Sequence, residues 1–479
     1  MKRSLLIIWM LIFLLSLFSI SFKSLGQKQD SIFERIDSLL REQSKLQSST
    51  GIAVAIVNDT KILYNKGFGY SNLLTRDTVT ERTMFHLGSI PKSFVAVALM
   101  QLVEQKKVKL DSLVIKYIPE LKFKDPRYCK ITVRHLATHS SGIFTNQNHN
   151  WDKPKNSDDA LDKFVLSLDY KELRFEPGEK FSYSDFNYDI IGDIIYRVTG
   201  VPFEDYMKNN ILQPSGMAKS TFYLPDTNTV ARPYIDDYEN CRISRGFLYP
   251  VNREHAPCGT LFSNTTEMSY WMMMNIHKGK FGDKTIIKKK SYDIMWKPQK
   301  KTGWGSNYYE SMAVGWFVGI YNGKSTYLHS GTDHGYRAIF CIIPEDKYGV
   351  VILSNYKETP VHYLLDRILS ILYEVTVIDT SFNLITKDEY PMIVGEYTDT
   401  AKNSATITTK EDLLYFNFNN NSCCLSSIRE GKILAGQYYE NPGLPFYYDQ
   451  ANVYLSKEIA ENKKSKYVIN LFNMRFEKK

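Results

Sequence analysis

Residues 85–94 read Phe85-His86-Leu87-Gly88-Ser89-Ile90-Pro91-Lys92-Ser93-Phe94, and the apolar run continues through Val95-Ala96-Val97-Ala98-Leu99-Met100. The run predicts a helix from about Ser89 to Gln105, with Pro91 tolerated in its first turn. Ser89 and Lys92 are three apart, so a helix places both side chains on one face, one turn apart. A serine hydroxyl is a poor nucleophile near neutral pH and needs a base in contact and an electropositive site for the oxygen it attacks. The positive end of the helix dipole favours developing negative charge at Ser89. Ser89 is therefore a candidate acyl-enzyme nucleophile and Lys92 its proton acceptor. Taken alone, Ser-x-x-Lys also fits a helix N-cap serine followed by a solvated lysine, so partners elsewhere in the chain must decide.

Outward from that stretch, the periodicity gives an order of elements. Apolar positions at Ile32, Phe33, Ile36, Leu39 and Leu40 predict an amphipathic helix over Ser31 to Gln47. Gly51 to Val57 and Thr60 to Tyr64 read as two strands around an Asn58-Asp59 turn. Tyr128 to Leu173 reads as loops and helices, and a helix over about Tyr188 to Thr199 stops at Gly200. Tyr327 to His329, Tyr336 to Ile343 and Gly349 to Leu353 read as strands, and Pro360 to Glu374 as a helix. Strands come from both ends of this region and helices fill its middle. The expected class is α+β: an antiparallel sheet whose terminal strands meet, flanked by helices with a helical subdomain. After about Lys387 short strand-like pieces separated by Asn, Gly and Asp predict a small all-β domain over 388–479.

The chain has 479 residues, 43% of them hydrophobic, with a net charge of +8. That is ample for a large core, and the mild charge carries no nucleic-acid motif. Lys2 and Arg3 precede an apolar stretch from Leu5 to about Ile20, which reads as an export signal over 1–26. Cleavage near Gly26-Gln27 implies a mature protein, with its main domain over 28–380, acting in a periplasm or beyond. An uncleaved anchor fits the same stretch. No other stretch spans a bilayer. The six cysteines show no disulfide framework and read as buried free thiols. No metal-binding spacing stands out, so neither a metal nor another cofactor is expected. His135 and His139 lie four apart, but with no nearby third ligand they read as structural.

Two further stretches are candidate partners for Ser89. Tyr183-Ser184-Asp185 offers a phenol that can shuttle a proton if a cation such as Lys92 lowers its pKa. His329-Ser330-Gly331-Thr332 offers a strand edge at which glycine permits close backbone approach to a carbonyl oxygen. In this order and at these separations, the three motifs resemble those of serine hydrolases of the class C β-lactamase and penicillin-binding-protein type, related to the S-x-x-K, S-D-N and K-T-G set. The stretches Ile131 to Gly142, Pro177 to Asp185, Leu212 to Met217 and His329 to Pro344 carry the same resemblance, which spans roughly Asp30 to Tyr373.

The resemblance implies that Ser89 attacks the carbonyl, that Lys92 and Tyr183 take and return protons, and that the Ser89 and Thr332 amides form the oxyanion hole. It places Asp185, His329, Gly331 and Thr332 on the substrate side, and His334, just past the same strand, is a further candidate to line the cleft. Two positions depart from the family pattern. His329 stands where β-lactamases have Lys, so a fixed positive charge is lost. Asp185 stands where the family has Asn, and an ionised carboxylate cannot donate to a substrate amide. It can also pair with Lys92 and hold that lysine charged. The expected function is an exported hydrolase of esters, amides or peptides, with small-molecule, peptide or cell-wall-fragment substrates and no nucleic-acid partner. The alternative is a peptidoglycan- or penicillin-binding module without significant turnover. Of the remaining aromatics, Tyr308, Tyr309 and Trp316 are candidates for an acyl pocket or for burial, and Gly259 marks a turn.

Overall fold

Strand β1 (Ile52–Val57, sequence IAVAIV) is buried at every position. A strand points successive side chains to opposite faces, and here both faces are covered. Ala53, Ala55 and Val57 enter the larger core cluster. Ile52, Val54 and Ile56 enter a second one on the other side. An apolar run without alternation is what a central strand packed on both faces requires.

The computed structural model describes residues 30–145, 149–237, 242–246, 249–375 and 390–398. It also describes residue 402 and the strands 404–410, 413–418, 421–424, 427–429, 432–435, 453–459, 465–471 and 474–478. The expected signal segment and the 380–388 junction lie outside the described residues. No described helix is long and apolar enough to cross a membrane.

Around β1 the sheet has eight strands, the others being β2 (Ile62–Phe68), β3 (Lys300–Lys301), β4 (Ser311–Met312), β5 (Phe317–Tyr321), β6 (Lys324–Asp333), β7 (Tyr336–Ile343) and β8 (Tyr348–Ser354). Their order across the sheet is β3-β4-β5-β6-β7-β8-β1-β2, and every pair is antiparallel. β1 and β8 pair with Ile52 opposite Ser354, so strands from the two ends of this region meet inside one sheet. The α+β class expected from the sequence is the class found.

Helix α1 (30–46) and helix α2 (Pro91–Glu104) lie on opposite faces. So do α3 (Phe186–Thr199) and α5 (Val361–Leu372), while α4 (Thr265–Ile276) shares the α2 and α3 side. On α5, Val361, Leu364, Leu365, Ile368 and Leu369 are buried, the one-stripe pattern of a helix lying on a sheet. On α2, every residue from Pro91 to Met100 is buried. A helix apolar all round belongs in the middle of a protein, and Lys92 goes in with it.

The helix of the serine motif begins at Pro91, two residues later than its apolar run predicts. Ser89 lies in the preceding turn, whose bonds run Ile90 N–H to the Leu87 carbonyl (3.3 Å) and Lys92 N–H to the Ser89 carbonyl (3.2 Å). A tight three-residue turn still eclipses positions i and i+3, so Ser89 and Lys92 stay together. Of the cysteines with described side chains, Cys258 and Cys341 are buried and Cys129 is exposed, which corrects the expectation of uniform burial. Cys129 sits in a short 3-10 turn with no buried residue.

The C-terminal strands form a separate nine-stranded antiparallel sheet. Strand pieces read from the sequence at 395–397, 405–409 and 413–417 fall within its strands.

Candidate active site

Two bare stretches of backbone meet at Ser89. A Cβ on Gly331 of β6 would lie 1.9 Å from the Leu87 carbonyl oxygen and 2.8 Å from the Ser89 nitrogen. A Cβ on Gly88, which holds φ at +54°, would lie 2.5 Å from the Thr332 nitrogen. Only glycine allows this approach from both sides. The Ser89 and Thr332 amides are thereby brought to one spot, as an oxyanion hole needs. Gly331→Ala is expected to force the strand off the turn. The overpacking costs about 1–3 kcal/mol, and a shift of about 1 Å at the site lowers reactivity on the order of 10²-fold. Thermal unfolding and the rate of covalent labelling at Ser89 measure the two effects. Unchanged labelling in a folded variant would show that this contact does not set the site.

Lys92 is fully buried and its ammonium has three protons. Three oxygens take them: Ser89 Oγ at 2.9 Å, the Cys258 carbonyl at 2.6 Å and Asp185 Oδ1 at 2.7 Å. Burial pushes the lysine pKa down, but the adjacent Asp185 carboxylate outweighs it and the net shift is well upward. For Asp185, burial raises the pKa and Lys92 outweighs it, leaving the carboxyl well below the usual carboxylate range. The resting pair is an ammonium and a carboxylate.

Tyr183 borders both partners, with Lys92 Nζ 5.2 Å from its ring centroid. Burial raises the phenol, while the charge of Lys92 and hydrogen bonds from Lys92 and Ser89 pull it back, for a net pKa of about 12. With Lys92 donating to Ser89, the serine proton is left for the phenol oxygen to accept. Ser89, Lys92, Tyr183 and Asp185 are therefore in one cluster.

The other expected site residues fall into two groups. His329 is buried with Nδ1 donating to the Ser330 carbonyl at 2.7 Å. Burial and the nearby Lys92 hold its pKa at about 3, so the ring is neutral. Thr332 Oγ1 accepts from the Arg337 guanidinium. His334 turns away, its ring lying against Gly246. None of its described contacts is with Ser89, Lys92 or Tyr183. Tyr309 and Trp316 are buried in the core, and Tyr308 donates to Asp366.

Several residues at the site were not read from the sequence as functional. His139 holds φ at +50° and its Nδ1 accepts from the Ser184 amide at 3.2 Å, with its ring 4.3 Å from that of Tyr183. Thr145 Oγ1 accepts from the Asp185 amide at 3.0 Å. Segment 139–145 thus clamps the Tyr183–Asp185 turn at the start of α3. His149 Nε2 lies 3.4 Å from Asp185 Oδ2, and its ring stacks on Trp151 at 5.1 Å. Burial raises the Asp333 pKa to about 6, with His149 opposing. The signal for His139 was present in the Ile131–Gly142 stretch. Asp333 likewise lies in the His329–Pro344 stretch, whereas His149 had no signal, because it gains meaning only from what stands opposite it.

Residues 36–373 match the family model described as Beta-lactamase. The chain belongs to the beta-lactamase family. This family member is 24% identical to Protein flp of Staphylococcus aureus (strain N315) over 338 residues, 70% of this chain and 65% of that protein. It thus spans a little under two thirds of that relative's length. It is 26% identical to the Putative penicillin-binding protein PbpX of Bacillus subtilis (strain 168), over 63% of this chain and 69% of that protein. Among solved structures, the octameric penicillin-binding protein homologue from Pyrococcus abyssi superposes with a TM-score of 0.63 at 25% identity, covering 93% of this chain and 99% of that one. EstCE1, a hydrolase with promiscuous acyltransferase activity, has the same fold, with a TM-score of 0.61 at 20% identity over 72% of this chain and 99% of that one. The beta-lactamase scaffold is a serine hydrolase fold.

Proposed function

We propose that this protein is an exported serine hydrolase that opens esters or amides through an acyl-enzyme on Ser89. The observation that carries the reading is Lys92 Nζ at 2.9 Å from Ser89 Oγ inside a buried, hydrogen-bonded cluster. A solvated surface lysine would not be so held.

The charge pattern supports a particular division of labour. Lys92 is already protonated and cannot take the serine proton in its resting state. Tyr183 in its phenolate form takes it, and Lys92 stabilises both that phenolate and the forming oxyanion. The Ser89 oxygen then bonds to the substrate carbonyl carbon, the leaving group departs with the proton from Tyr183, and water reverses the sequence. The backbone amides of Ser89 and Thr332 bind the oxyanion.

Substrate choice follows from the same charges. A neutral, buried His329 offers no cation to a substrate carboxylate, and Asp185 and Asp333 add negative charge. Esters and amides without a carboxylate beside the scissile bond fit this site better than β-lactams do.

A phenol with a pKa of about 12 is almost wholly protonated at pH 7. Raising the pH deprotonates it, so the base becomes more abundant. The expected result is a kcat/KM for a reporter ester that climbs about tenfold per pH unit from pH 7 to 9 without a plateau. Lys92→Ala serves as control. A bell-shaped profile centred near neutrality would remove Tyr183 from the base role. A second reading, a binding module without turnover, is favoured by the same Lys92–Asp185 pair. Covalent labelling without ester turnover at any pH would select it.

A further inference from the structure

Next to Lys92, which donates to the Cys258 carbonyl, three metal-ligating side chains converge. One ring nitrogen each of His149 and His255 and the Sγ of Cys258 all lie within 4.8 Å of one another. His255 and Cys258 come from one turn, as His255-Ala256-Pro257-Cys258, and His149 comes from a distant loop. The ring centroids of the two histidines are 4.7 Å apart, with the planes nearly perpendicular.

The orientation of His255 is what separates this cluster from a chance meeting. Its Nδ1 pairs with Asp189 Oδ2 at 2.8 Å, and both side chains are buried. That contact fixes the tautomer, with Nδ1 as donor and the lone pair on Nε2. Nε2 is buried and has no hydrogen-bond partner among the described residues. A buried ring nitrogen without a partner has a desolvation cost that something must offset. A carboxylate behind a histidine whose other nitrogen is free is the outer-shell arrangement that orients metal-binding histidines. The Cys258 thiol lies 3.4 Å from the His255 carbonyl and also borders the Asp189 carboxylate.

The surrounding charge suits a cation. Asp185 lies against His149 and Asp189 against His255, with Lys92 as the one ammonium paired to Asp185 among the described residues. Tetrahedral zinc with N ligands at about 2.0–2.1 Å and S at about 2.3 Å needs ligand separations of roughly 3.3–3.8 Å. Closing from separations within 4.8 Å takes at most about 1–1.5 Å of side-chain movement.

We propose that His149, His255 and Cys258 bind a divalent transition-metal ion of the zinc class, with Asp189 orienting His255. Binding converts the Cys258 thiol to a thiolate and releases its proton to solvent; nothing is oxidised or reduced. Imidazole and thiolate donors select zinc, cobalt or copper over magnesium and calcium, which need oxygen ligands. The site does not depend on Ser89 acting as a nucleophile.

Cobalt chloride added to the full-length protein, followed by gel filtration, tests this. One retained cobalt per chain is expected, with a thiolate-to-cobalt charge-transfer band in the near ultraviolet. Cys258→Ser should abolish the band, and Asp189→Asn should weaken cobalt affinity about 10–100-fold. If Cys258→Ser fails to fold by circular dichroism, His149→Gln, a loop substitution, decides by loss of stoichiometric retention. No retained cobalt, retention without the band, or a band that survives these substitutions would overturn the assignment.

Discussion

Ser89→Ala is expected to eliminate covalent labelling by a fluorophosphonate or penicillin probe and to lower ester hydrolysis by roughly 10⁴–10⁶-fold. The size follows from what is left behind. Lys92 keeps two of its three oxygens, Cys258 and Asp185, so the cluster stays assembled. The oxyanion site also remains, because Gly331 and the Leu87–Ser89 turn meet through backbone. Only the oxygen that forms the bond is missing. An alanine methyl fills almost the same space, so stability should change little. Mass spectrometry of the labelled protein and thermal unfolding are the measurements. A labelled adduct on the variant would move the nucleophile elsewhere.

Asp185→Asn is expected to act in the opposite direction and raise the acylation rate at pH 7 by about tenfold or more. Asp185 is the carboxylate that keeps Lys92 protonated against its burial. With Asn there, the largest opposing charge is gone and burial, the largest influence on this lysine, pulls its pKa down. A neutral amine 2.9 Å from Ser89 Oγ is a base in contact. Removing one member of a buried ion pair normally costs about 3–5 kcal/mol because a charge is stranded. Here Lys92 escapes much of that cost by releasing its proton. The rising limb of the pH–rate profile should therefore move to lower pH. Stopped-flow acylation across pH reads both effects. A fall in rate matching that of Lys92→Ala would mean that Asp185 is needed in the proton path, and would sink the account of Lys92 as a cation held off duty.

Local patterns made much of the scaffold legible. Ile52–Val57 and Tyr336–Ile343 declared themselves as strands by β-branched runs, and α5 by a single apolar stripe. The run after Pro91 declared a buried helix. That helix starts two residues later than its apolar run predicts because Ser89 and Ile90 lie in a tight turn against Gly331, a residue 242 positions away from Ser89. Within the site, Ser89, Lys92, Tyr183 and His329 carried motif signals. His149, Asp189, His255 and Cys258 did not, since none has a spacing that stands out until the loop at 149 folds over the turn at 255–258.

The order of residues by itself determined five of the sheet's eight strands, the central helix and the nearness of Ser89 to Lys92, because these depend on periods of two and of three to four along the chain, while the short strands β3, β4 and β5 carry no such period. Only the tertiary structure decided whether Lys92 rests charged. That depends on Asp185 reaching Nζ at 2.7 Å with both side chains buried. Burial and a counter-ion drive a lysine pKa in opposite directions, and their balance is fixed by distances that no stretch of sequence contains.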